Sequence, residues 1–285
     1  MSRYLIAILL FLVVGCQSHV PNSKKKVLVV SILPMKYFAD QLTQGRFEVE
    51  VMVPPGASPE TYAPTPKQMI RLSEAKAYFS IGYLGFEQVW LTNFKSTNVN
   101  LSIYQTSTGI ELIKEVQEHK DQEHPSGVDP HIWSSPKTAQ IMAENMCNGL
   151  KKIDPANTAA YDANLKKLKL KISSVDSAIT RIFKESSEKR FVVFHPALGY
   201  LARDYGLEQL AIEFEGKIPS PKHLKQVIEA ARKANVKFIL IQKEFDAENA
   251  VVIANETGSS ILQIDPLDYF WSDQVIDIAQ KISRK

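Results

Sequence analysis

DPANTAAYDANLKKLKLKISSVDSAITRIFKES, residues 154–186, decides the fold. Asp154 reads as an N-cap and Pro155 as the first helical residue, where the N–H that proline lacks would have no partner anyway. Apolar residues then fall at Tyr161, Leu165, Leu168, Ile172, Val175, Ile179 and Ile182, in steps of four and three. The spacing predicts one helix from Pro155 to Ser186 with a continuous seam, roughly 45 Å long at about 1.5 Å per residue. Such a seam is either a coiled-coil dimer face or a brace along two packed regions. What lies on each side favours the brace.

Working outward, strand and helix patterns alternate on both sides. Upstream, strands are expected at Val27–Ile32, Glu48–Val53, Tyr78–Ile81 and Val99–Tyr104, with helices at Met35–Thr43, Pro66–Ala75, Phe86–Asn93 and Thr138–Leu150. Downstream, strands are expected at Phe191–Phe194, Gln209–Glu213, Phe238–Ile241 and Ser260–Ile264, with helices at Ser220–Ala234 and Ala247–Thr257. Ser220-Pro221 opens one of these helices and Gly258 closes the other. The alternation is that of βαβ units. The expected fold is therefore α/β: two lobes, 27–153 and 189–285, each a mostly parallel sheet flanked by helices and joined by one long backbone helix within 154–188. No internal sequence repeat or flexible linker interrupts it, and two modest cores are expected.

The chain start reads as an export signal. Met1-Ser2-Arg3 precedes an apolar run, Tyr4–Val14, that is far short of the roughly 20 residues a spanning helix needs. Residues 1–15 are thus a signal peptide. Cys16, directly after Leu12-Val13-Val14-Gly15, looks like a lipobox cysteine, acylated at a new N-terminus. Residues 16–26 become a tether whose Lys24-Lys25-Lys26 can sit near anionic lipid. Only Cys16 and Cys147 exist, so a lipidated Cys16 leaves no internal disulfide. A net charge of +3 without a basic, aromatic-interleaved stripe excludes nucleic acid as a partner.

Candidate ligands fall where an α/β sheet offers binding groups, beyond the carboxyl ends of strands. His195 follows Phe191–Phe194, and Asp265 follows Ser260–Ile264. Glu60 lies in the loop Pro54–Pro64. His131 lies in Gly127-Val128-Asp129-Pro130-His131-Ile132-Trp133-Ser134-Ser135-Pro136, where two prolines restrict the backbone. Two imidazoles and two carboxylates, two from each lobe, suit one divalent cation, whose charge the carboxylates balance. Taken singly, His195 also reads as a core histidine, Glu60 as a solvated loop acid and Asp265 as a turn residue.

Four stretches, Pro54–Pro66, Asp129–Trp133 with Ser135-Pro136, Phe194–Tyr200 and Ile264–Leu267, resemble the zinc and manganese substrate-binding lipoproteins of bacterial ABC importers, the cluster A-I solute-binding family. The resemblance covers nearly the whole mature chain. It implies two lobes on one long helix, and metal-ligand roles for Glu60, His131, His195 and Asp265. It also implies an ABC permease as partner, a lipid anchor, and a periplasmic or cell-exterior location. One position departs: the family's first ligand is usually histidine, and here it is Glu60. His195 resembles zinc-selective relatives, whereas the count of two histidines, one Glu and one Asp matches manganese-selective ones. Zn2+ is the expected cargo, with Mn2+ or iron as the alternative.

The loop Glu118–His124 looks like a short remnant of the family's His-rich acidic loop, with His119 and His124 as accessory metal donors. Tyr83–Glu87 resembles a glycine-containing turn near the cleft and reads as packing. His19 and His223 have no assigned role. The expected action of this monomer is capture and handover of the ion, with no bond made or broken. An enzyme is disfavoured, since neither a His-Glu-x-x-His helix nor a Gly-x-Ser-x-Gly elbow is present. A surface adhesin, a role attributed to some members of the family, would need an exposed apolar patch.

Overall fold

The computed structural model describes residues 25–114, 127–213, 220–245 and 248–284. The expected signal peptide, Cys16, the expected tether to residue 24, and His119 and His124 lie outside the described residues. Among the described residues, no helix is long and apolar enough to cross a membrane.

The first half runs β1 (Lys26–Val30), α1 (Leu33–Thr43), β2 (Phe47–Val51), α2 (Pro66–Ser73), β3 (Ala75–Ser80), α3 (Gly85–Thr97), β4 (Ser102–Gln105), a 3₁₀ turn (Ile132–Ser134) and α4 (Pro136–Ile153). After α5 (Thr158–Glu185) come β5 (Arg190–Val193), α6 (Gly199–Tyr205), β6 (Glu208–Ala211), α7 (Pro221–Lys233), β7 (Phe238–Gln242), α8 (Glu248–Thr257), β8 (Ser260–Ile264) and α9 (Trp271–Ile282). The short α6 and the amphipathic α9 were not among the elements expected from sequence.

Hydrogen bonding orders the strands β2-β1-β3-β4 and β6-β5-β7-β8, with every pair parallel. The halves thus share a topology without a visible sequence repeat. In each sheet the chain steps first to one side of the opening strand and then to the other. That reversal opens a crevice beyond the carboxyl ends of β1 and β3, and of β5 and β7.

The long helix is present, but its start differs from expectation. Pro155–Asn157 form a 3₁₀ turn and the α-helix begins at Thr158. Asp154 caps no helical N–H. Its Oδ2 accepts from the Tyr161 hydroxyl at 2.5 Å and from Asn157 Nδ2 at 2.8 Å, and the Tyr161 bond draws the carboxyl below its usual range. The buried seam is Tyr161, Leu168, Ile172, Val175, Ile179 and Phe183. Leu165 and Ile182 are only half-buried, and Phe183 takes the last place against the Tyr205 ring, 5.7 Å away. The seam packs on α1 and α4 from the first half and on α9 from the second. With its apolar face covered by its own chain, α5 is a brace rather than a coiled-coil strand.

The halves share one large core rather than two modest ones, and it includes both sheets, α4, α5 and α9. The second sheet shows why. Phe191, Val193 and Leu240 face this shared core, while Val192, Phe194, Ile239 and Ile241 point the other way, into a smaller core with α7 and α8. Across the join, Trp133 Nε1 donates to the Pro266 carbonyl at 2.9 Å and Trp271 Nε1 to the Trp133 carbonyl at 2.7 Å. Both indoles are buried, so these bonds satisfy their N–H groups where water cannot.

Candidate metal centre

His195 sits just past β5, and its surroundings follow from strand register. Val193 pairs with Ala211, and the ladder continues beyond β6 with the Glu213 N–H donating to the Phe194 carbonyl at 2.8 Å. Two residues past that pairing, Glu213 lies beside His195. The imidazole Nδ1 donates to Glu213 Oε2 at 2.8 Å. On the other side the Gln242 amide substitutes for a strand backbone: its Oε1 accepts from the His195 N–H at 3.2 Å and its Nε2 donates to the His195 carbonyl at 2.6 Å. The Phe245 ring stacks on the imidazole at 4.9 Å and 18°.

His131 is held by the opposite lobe in the same manner. Asp129 Oδ1 accepts from the His131 backbone N–H at 2.9 Å and from its Nδ1 at 2.8 Å, so one carboxylate oxygen sets both the loop and the ring. The fit is close enough that a Cβ on Gly199, at the start of α6, would overlap Asp129 Oδ2. Tyr200 donates its hydroxyl to the Asp129 carbonyl at 2.7 Å.

In the neutral rings, a carboxylate accepting at each Nδ1 keeps the proton on that nitrogen and leaves Nε2 as the acceptor. The two Nε2 atoms face each other at 3.2 Å between the lobes. Two lone pairs at that distance repel unless they share a cation. Zinc bound tetrahedrally at about 2.0–2.1 Å would hold its two nitrogens about 3.3 Å apart. A carboxylate hydrogen-bonded behind each metal-facing imidazole is the usual arrangement at histidine metal sites.

Glu60 completes a three-residue cluster with His131 and His195, their ligand atoms all within 4.8 Å of one another. Its loop is pinned at both ends by Gln68, whose Nε2 donates to the Met52 carbonyl and whose Oε1 accepts from the Tyr62 hydroxyl and the Thr65 N–H. Midway, a Cβ on Gly85 would overlap the Glu60 carbonyl oxygen, and the Phe86 N–H donates to the Pro59 carbonyl at 3.1 Å. The Tyr83–Glu87 turn thus abuts the Glu60 loop directly. It is held in turn by the buried Glu87 carboxylate, which accepts from Ser31, Ile81 and Gly82.

The structure does not bring Asp265 into this cluster. Its Oδ2 pairs with Lys243 Nζ at 2.8 Å and its Oδ1 accepts from the Leu267 N–H at 3.2 Å. Glu244 instead lines the cavity with Glu60, His131 and His195. Burial pushes the Glu244 carboxyl above its usual range, with Asp265 adding to the rise and His195 opposing it.

Sequence reasoning missed Asp129 and Glu213. Asp129 had a local signal: an aspartate two residues before His131, whose carboxylate closes a turn back on the backbone. Glu213 had none, because only the pairing of β5 with β6 puts it beside a residue eighteen positions away.

The fold and this centre define the class: a two-lobed solute-binding protein of a transport system. The chain belongs to the family described as zinc-uptake complex component A, periplasmic (ZnuA), whose model matches residues 28–274. The high-affinity zinc uptake system protein ZnuA of Bacillus subtilis is 27% identical over 252 residues, covering 85% of this chain and 78% of that protein. The zinc-binding protein AdcA of Streptococcus pyogenes is 24% identical over 264 residues, and the match covers 86% of this chain but 51% of AdcA, so the chain spans about half of that relative. Among solved structures, a crystal structure of ZnuA superposes with a TM-score of 0.84 at 35% identity, covering 91% of this chain and 98% of that one. A zinc-bound ZnuA deletion mutant matches with the same score and identity. A manganese-bound periplasmic metal-binding protein from Candidatus Liberibacter asiaticus shares the fold, with a TM-score of 0.80 at 23% identity.

Proposed function

We propose that the protein captures a divalent transition metal between its lobes and hands it to an ABC permease, with zinc as the cargo and Glu60, His131 and His195 as ligands. The observation that carries this reading is the pair of imidazoles, each backed by a carboxylate at Nδ1, facing each other through Nε2 at 3.2 Å. Zinc is supported by the imidazole pair and by the names of the relatives. Manganese is the second reading, favoured by the oxygen donors at hand: Glu60 and Glu244 on the cavity, and Asp265 directly before the lining residue Pro266.

The remaining parts follow from the same reading. Residues 27–153 and 189–285 act as the two lobes and 154–188 as the linking segment. Cys16 carries the lipid that tethers the protein outside the cytoplasm, and His119 and His124 collect metal at low affinity. The protein works as a monomer, its long apolar seam being used internally, and it catalyses no reaction.

Competition titration of the metal-stripped protein with Zn2+ and Mn2+, on wild type and Glu60→Ala, tests this. Tight one-to-one zinc binding, weakened by Glu60→Ala, is expected. A specific one-to-one manganese site without ordered zinc binding would move the reading to manganese. If neither ion binds, metal capture is wrong and the adhesin reading takes its place.

A further inference from the structure

The residue beside the candidate fourth ligand is a lysine. β7 and β8 are parallel neighbours with Gln242 opposite Ile264, so the next residue of each strand, Lys243 and Asp265, emerge side by side at the carboxyl ends. Their side chains meet at 2.8 Å. Both Asp265 oxygens are engaged, one by this ammonium and one by the Leu267 N–H. Meanwhile Glu60, His131 and His195 converge without it. Lys243 directly follows Gln242, whose amide brackets the His195 backbone, so the lysine's chain position is tied to that of a ligand. The side-chain exposures are 51% for Lys243 and 17% for Asp265, so the ammonium has water to retreat into while the carboxylate is largely covered, directly before Pro266, which lines the cavity.

We propose that Lys243 is an internal competitor for the metal: its ammonium occupies Asp265, so a cation enters on Glu60, His131 and His195 and gains Asp265 only by displacing Lys243. This rests on the metal-capture reading. The device moderates affinity and favours release. When the ion leaves, Asp265 regains a cation at once instead of being left uncompensated, which lowers the cost of handover.

The test is a double-mutant cycle on the zinc dissociation constant, read by competition with a chromophoric chelator on metal-stripped protein. The variants are Lys243→Met, Lys243→Arg, Asp265→Asn and Lys243→Met with Asp265→Asn. An exposed ion pair is worth about two- to fivefold in an equilibrium constant. Lys243→Met is therefore expected to bind zinc tighter by that factor and to release it more slowly, while Lys243→Arg stays near wild type. On the Asp265→Asn background, Lys243→Met should change nothing. A gain that persists there would mean that Lys243 acts through its field on the ion and not through Asp265, overturning the proposal, as would no gain at all. In both cases wild-type zinc binding remains. Failure of wild type to bind zinc or manganese one-to-one would instead sink the capture reading, and the proposal with it.

Discussion

Glu213 offers the sharpest test of how the centre is built, because it touches no ion in the proposed site and yet should control it. Its Oε2 accepts from His195 Nδ1 at 2.8 Å, and the residue is 5% exposed, so bulk water cannot replace the bond. Without the carboxylate, the His195 proton is free to move to Nε2, which removes the lone pair facing His131. Loss of a carboxylate behind a ligating imidazole typically costs about 10–100-fold in metal affinity, or about 1.4–2.8 kcal/mol. Two features limit the loss here: Phe245 stacks on the ring and Gln242 holds the His195 backbone. Glu213→Gln keeps an acceptor oxygen and loses only the charge, so about tenfold weaker zinc binding is expected. Glu213→Leu loses both and should approach a hundredfold. Chelator competition measures the affinity, and far-UV circular dichroism checks that the variants fold. If both variants bind zinc within about threefold of wild type, packing alone orients His195 and the argument from paired carboxylates fails.

Three further outcomes follow from particular contacts. Gly85→Ala puts a methyl group into the Glu60 carbonyl, a backbone atom that cannot rotate away; overpacking of this kind costs about 1–3 kcal/mol. It should therefore lower the melting temperature and weaken zinc binding together, and an unchanged affinity would show that the Glu60 loop is not positioned by the Tyr83–Glu87 turn. Trp133→Phe leaves the Pro266 carbonyl without its indole donor at the join between halves, costing about 1–3 kcal/mol in urea denaturation; a loss below that range would mean that this bond adds little to the join. Burial raises the Glu87 carboxyl from 4.5 to about 7, the hydrogen bonds from Ser31 and the backbone only partly opposing it. Between those values the folded state keeps a proton that the unfolded chain has lost, so this group's contribution to stability falls as pH rises, by up to about 1.4 kcal/mol per unit. Measured on metal-stripped protein, Glu87→Gln should therefore gain stability relative to wild type between pH 5 and pH 8, and a pH-independent difference would refute the assignment.

The linear order of residues was enough for the α/β class, most of the strands and helices, and the long helix, because each rests on local periodicity. Period-two runs, steps of three and four, and proline or serine at helix starts are set by neighbours in the chain. Boundaries were less legible: Asp154 looked like an N-cap, but the Tyr161 hydroxyl seven residues on claimed its carboxylate and the α-helix started late. Glu60, His131 and His195 could be nominated from sequence because each lies in a loop after a strand or between prolines.

Which groups meet was decided by the tertiary structure. Strand order is a choice among pairings that the sequence permits equally. Pairing β6 with β5 delivers Glu213 to His195, and pairing β8 with β7 sets Asp265 against Lys243 instead of among the other three candidates. The 3.2 Å approach of the two imidazoles depends on how the lobes dock across Trp133, Trp271 and the α5 seam. The sequence by itself determined which chemical groups were available and roughly where along the chain they stood, since local propensity acts over a few residues. Which of them form one centre was settled by long-range packing, since bringing together residues as far apart as Glu60 and His195 takes the burial energy of a shared core.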